Sequence, residues 1–110
     1  MLKIAMSPTA AALLRALLDR AGVTRNRILL TEVRSTDWQS LTFIGERHEL
    51  HLRVVGAASA AIAERLCRGL AEADFRIPGQ IVAEIAAPGS PRLQADGSVL
   101  VDIEALTIEE

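Results

Sequence analysis

The chain predicts a two-layer α+β sandwich: an antiparallel four-stranded sheet with two helices on one of its faces. Three observations lead there. Two apolar stripes recur at helical spacing, several runs alternate strictly between polar and apolar residues, and the order helix, strand, strand occurs twice. At 110 residues, half of them hydrophobic, the chain has material for one core, so a single domain over residues 1–110 is expected.

Residues 1–6 read either as a disordered leader or as a short extra strand. A helix is predicted over residues 8–21. Ser7 offers a hydroxyl to the free amides of the first turn, Pro8 loses no hydrogen bond there, and Leu13, Leu14, Leu17 and Leu18 form an apolar stripe that Gly22 terminates. Residues 27–34 alternate as a strand, Ser35-Thr36-Asp37 reads as a turn, and a second strand starts at Trp38 and passes through Leu41 and Phe43. From Glu49 onward Leu50, Leu52 and Val54 oppose Glu49, His51 and Arg53. The large apolar residues thus change from odd to even positions near Gly45, through either a bulge or a turn.

The second helix is expected over residues 58–72, burying Ile62, Leu66 and Leu70, and is followed by a loop that contains Pro78 and Gly79. Residues 80–86 form a strand with Ile81, Ala83 and Ile85 on one side, and Pro88-Gly89-Ser90-Pro91 stops it. Asp96-Gly97 signals a hairpin into a long last strand over residues 98–108.

The two halves, 7–55 and 57–108, are candidate internal repeats. Thr9-Ala10-Ala11 matches Ser59-Ala60-Ala61, and Leu29-Leu30-Thr31-Glu32-Val33 matches Ile81-Val82-Ala83-Glu84-Ile85. One helix plus a hairpin cannot bury its apolar face alone, whereas two such units can share a sheet. The strands ending at Val55 and Ile108 then lie in the centre. This αββαββ order over residues 7–108 resembles a circularly permuted ferredoxin-like fold, which hosts many functions and so assigns none.

A net charge of −2 excludes the basic surface that nucleic acid requires. The lone Cys67 rules out an intrachain disulfide and a thiolate metal cluster, and points to a reducing cytoplasm. No apolar run approaches the ~20 residues of a membrane helix. Glycine-rich phosphate loops, dinucleotide fingerprints and nucleophile elbows are absent, and no cofactor is expected.

The sheet face away from the helices is expected to carry Leu30, Glu32, His51, Arg53, Val82 and Glu84, with Leu100, Asp102, Glu104 and Leu106 from the last strand. That mixture suggests a homodimer, sheet against sheet or edge against edge. Two candidate sites follow. His51 with Glu32, Glu84, Asp102 and Glu104 assembles an imidazole and carboxylates suited to proton transfer or a divalent cation. Trp38, Arg47 and His48 would make a small anion or aromatic-ligand pocket around a turn at Gly45. Arg65 and Arg68 beside Cys67 raise the question of a lowered thiol pKa. The first functional expectation is a non-enzymatic module that self-associates and binds a protein or small-molecule partner. The second is a small enzyme or metal-binding protein built on His51 or on the Trp38, Arg47 and His48 cluster.

Overall fold

In the computed structural model, which describes residues 6–110, the chain folds as two helices and a five-stranded antiparallel sheet. The alternative readings of residues 1–6 lie, apart from Met6, outside the described residues.

Helix α1 (Pro8–Ala21) starts where the Ser7 hydroxyl accepts the Ala10 amide at 3.1 Å, and ends at Gly22 in the left-handed conformation with φ +70°. Its buried stripe is Ala10, Leu13, Leu17 and Ala21. Strand β1 (Ile28–Gln39) continues through Ser35-Thr36-Asp37, the predicted turn, to hairpin with β2 (Ile44–Val54). The turn sits at residues 40–43 instead. Ser40 exchanges backbone contact with Phe43 and its hydroxyl accepts the Phe43 amide at 3.1 Å, while Ser35 finds a cross-strand partner in His48 and so has no need of a turn. Gly45 does not interrupt the sheet either. It pairs with both Trp38 and Ile108, and a Cβ there would collide with the Thr107 carbonyl. Glycine is required for that close approach.

The change of phase arises in β1. Thr31 is bulged out between the pairs Leu30–Leu52 and Glu32–His51, and its hydroxyl donates to the His51 carbonyl at 3.0 Å. A second bulge at Ala83 interrupts the pairing of β3 (Gln80–Ala86) with β5 (Val99–Glu109). These two bulges return Leu30 and Val82 to the helix side and put Ile81 on the open one, correcting the face assignment made from simple alternation.

Helix α2 (Ser59–Cys67) is shorter than expected, because Arg68 is extended and Gly69 takes φ +63° before a single 3-10 turn at Leu70–Glu72. Arginines of the facing helix satisfy the freed carbonyls. Arg20 Nε donates to Leu66 O at 3.0 Å and its terminal nitrogen to Arg68 O, while Arg65 donates to Ala21 O at 3.1 Å. Pro88 to Pro91 split the last edge strand, so β4 (Arg92–Leu93) continues along β5 beyond β3 and makes the fifth strand where four were expected. The hairpin at Asp96-Gly97 forms, with Gly97 at φ +88°.

The sheet order is β1-β2-β5-β3, so β2 and β5 are central. Their inward residues Leu50, Leu52, Val54, Val101 and Ile103 pack with Leu13, Leu17, Ile62 and Leu66 of the helices in one core. Each such side chain stabilises the fold by about 1.5–3 kcal/mol through burial. The alternate residues of β2 and β5 therefore face away from the helices.

Candidate functional site

Strand β2 presents its even residues to the helices and its odd residues to the open side, so the two histidines part company. His51 stands in a row that crosses the sheet. Its Nε2 lies 3.2 Å from Glu32 Oε2 on β1, and its Nδ1 lies 2.7 Å from Asp102 Oδ1 on β5. Asp102 is gripped from the far edge by Arg92 of β4, whose two terminal nitrogens donate at 2.9 and 3.3 Å. The charges run minus, plus, minus, plus when the ring is protonated. The Arg92 hydrogen bonds first, and the one from His51 second, hold the Asp102 carboxyl below its ordinary range. Both ring nitrogens of His51 thus face partners within the chain.

Of the other carboxylates proposed for this site, Glu104 and Glu84 stay out of the row. Glu104 is directly across from Glu49, whose nearest cation is Arg34 at 3.7 Å, and Glu84 is across from Leu106. Like charges directly opposite on neighbouring strands repel. Among the described residues no group of three or more His, Cys, Asp or Glu side chains is placed to hold a metal ion. Arg92 was missed in the sequence because it lies in a two-residue strand after a Pro-Gly-Ser-Pro break, where no alternation marks a face.

Trp38, Arg47 and His48 do not converge on one side of the sheet. Trp38 and Arg47 belong to the open face, through the pairs Trp38–Gly45 and Arg47–Leu106, whereas His48 points inward and is 1% exposed. Its Nδ1 is 2.7 Å from Ser35 Oγ and its Nε2 2.9 Å from Thr107 Oγ1, so two hydroxyls saturate the ring. Burial lowers its pKa below 6.5, against a smaller opposing effect of the Glu46 charge. Alternation alone places Thr107 on the inward face, whereas the role of Ser35 is hidden behind the bulge at Thr31. Cys67 is half-buried, and burial raises its thiol pKa more than the nearby Arg20 lowers it, the opposite of an activated thiolate.

A depression of about 340 Å³ lies beside the charged row, lined by Arg34, Thr36, Arg47, His48, Glu49 and Glu104, so that Arg47 and His48 of the second candidate site both border it while Trp38 does not. A larger groove of about 470 Å³ follows the β3 edge past Phe75, Arg76 and Ile77, and neither histidine lines it. At the far end of the open face Trp38, Ile108 and Ile81 line up across the sheet, next to the exposed Phe43 and Ile44 of the hairpin end. No helix among the described residues is long and apolar enough to cross a membrane. No protein-family model matches the chain, and no curated protein matches it either.

Proposed function

We propose that the chain is a non-enzymatic α+β module that self-associates and docks a protein or small-molecule partner through the sheet face its helices leave uncovered. The observation that carries this reading is the make-up of that face. Leu29 and Leu100, on either side of Arg53, lie at one end of it and Trp38, Ile108 and Ile81 at the other, and the charged row of Glu32, His51, Asp102 and Arg92 between them is already partnered within the chain. Acid–base or metal chemistry at His51, or a ligand pocket at Trp38, Arg47 and His48, needs an imidazole nitrogen free to meet a ligand. Here both imidazoles face side chains of the same chain. Sedimentation at micromolar concentrations is expected to return a dimer mass. A monomer mass throughout that range would reject self-association.

The same reading treats the halves as copies of one α-β-β unit in a permuted ferredoxin-like arrangement. Three features support it. The bulged residues Thr31 and Ala83 are 52 positions apart, the offset that also relates Glu32 to Glu84. Arg20 and Arg65 cap each other's helices. Glu49 and Glu104 meet across the two central strands, where an axis relating the halves would pass.

A further inference from the structure

We infer that Ser35 is a nucleophile, with His48 as its general base, that accepts a short acyl group from an ester or thioester. This goes beyond the docking reading above and does not depend on it. Past its bulge at Thr31, strand β1 pairs Ser35 with His48 of β2, on the helix side of the sheet. Ser35 is half-buried and borders a cavity of about 270 Å³ at the start of α1, together with Met6, Ser7, Val33 and Glu46.

The hydrogen bonds around the ring give each group a part in proton transfer. Ser35 Oγ lies 2.7 Å from Nδ1 of His48, and Nε2 lies 2.9 Å from Thr107 Oγ1. The Thr107 hydroxyl also reaches the Glu46 carbonyl at 3.5 Å. Donating there, it accepts from Nε2–H, and Nδ1 keeps its lone pair for the Ser35 proton. Nucleophile, base and positioning residue thus follow one another as they do around an activated serine. Burial keeps the ring in its neutral, proton-accepting form near neutral pH, while the smaller effect of the Glu46 charge favours the imidazolium formed during transfer. The other bonded serine hydroxyls have different partners: Ser7 the Ala10 amide, Ser40 the Phe43 amide, Ser59 the Gly97 carbonyl and Ser98 the Asp96 carboxylate. Among the described residues Ser35 alone meets an imidazole.

In the reaction Nδ1 takes the hydroxyl proton as Oγ bonds to the carbonyl carbon of the donor, whose π electrons move onto its oxygen. They return as the bond to the leaving oxygen or sulfur breaks, and the ring hands its proton to that leaving group. The imidazole ends as it began, and the products are acylated Ser35 and an alcohol or thiol. Ser7 puts the start of α1 on the cavity wall, so the positive end of the helix lies beside the developing negative charge. The small volume, the apolar Met6 and Val33 and the Glu46 carboxylate together suit a short acyl chain without negative charge.

Brief exposure of the intact chain to p-nitrophenyl acetate tests this. Peptide mapping is expected to find the acetyl group on Ser35 at least about a hundredfold ahead of the more exposed Ser40 and Ser90, the contribution of a placed general base. The rate of acetylation at Ser35 should hold above pH 6.5 and fall below it, as His48 takes up a proton. Glu46 is the charged group that acts on the ring, and its neighbours Ser35 and Thr107 do not titrate. His48→Gln should slow the reaction about a hundredfold or more. Thr107→Val should slow it as well, and Thr107→Ser, which restores the hydroxyl, should recover the rate, with thermal melts showing which variants fold. Where a variant does not fold, the labelling pattern and pH profile of the wild type decide. Acetyl spread evenly over the serines, none on Ser35, or a folded His48→Gln that reacts at the wild-type rate overturns the inference and leaves the docking reading untouched.

Discussion

His48 and His51 lie three residues apart on β2, yet each has the surroundings of a different kind of protein site. His48, on the helix side, is closed off from water and hydrogen-bonded to the Ser35 and Thr107 hydroxyls. His51, on the open side, stands between the Glu32 and Asp102 carboxylates. The difference follows from what burial does to charge. An imidazolium under the helices would lose its hydration, so the buried ring stays neutral and takes neutral partners. On the open face water screens the charges, and carboxylates can crowd the ring from both sides. Strand parity thus chooses the solvent, and the solvent chooses the partners.

The comparison breaks if the two sides of β2 respond alike to truncation, and this is the largest effect expected. Leu50→Ala removes a fully buried side chain from the core and should cost about 3 kcal/mol in urea denaturation. His51→Ala, one residue on, removes a partly exposed ring from screened ion pairs and should cost about 1 kcal/mol or less. Equal losses would show that the helices do not cover one side alone. A smaller effect belongs to the buried histidine. Thr107→Val keeps the shape of the side chain but leaves Nε2 of His48 without its partner, at a cost of about 1–3 kcal/mol. The pH dependence has a definite sign. Because the folded His48 pKa lies below 6.5, the unfolded chain takes up the proton first as pH falls. Stability therefore holds above 6.5 and declines below it. In His48→Gln that decline between pH 6.5 and acid should flatten, as denaturation midpoints at a series of pH values would show.

Much of this contrast was legible in the sequence. The alternation from Glu49 to Val54 is uninterrupted, so it sets Leu50 and Leu52 opposite His51, and in the structure the same parity runs back through His48 and turns that ring inward. The capped α1 was equally legible because Ser7, Pro8 and Gly22 act on their own turns. What escaped depends on distant pairing. A bulge at Thr31 or Ala83 leaves no local mark when the next residues still favour extended backbone. Ser35 to Asp37 have turn chemistry but are held straight by β2, with Ser35 tied to His48. Arg92 entered the charged row only because the Pro-rich break returns the chain to the same edge of β5. Local periodicity says which way a side chain points, and only the sheet register says whom it meets.

The smallest effect sharpens the comparison, because it separates the two faces by pH. Asp102 is held below its ordinary value of 3.8 chiefly by Arg92 and next by His51, so its contribution to stability is fully present above 3.8. It is lost as pH falls through the lower folded value. Asp102→Asn keeps the size of the side chain and removes the charge. On this largely solvated face it should cost within about 1 kcal/mol near neutral pH. The variant and the wild type should converge in strong acid, where the wild-type carboxyl is also neutral. Asp102 therefore loses its charge pairing as pH falls below 3.8, whereas His48 begins to weaken the covered face already below 6.5. Stability curves of His48→Gln and Asp102→Asn should each depart from wild type in its own window. If Asp102→Asn instead stayed apart from the wild type in strong acid, the loss would come from the packing of the side chain and not from its charge.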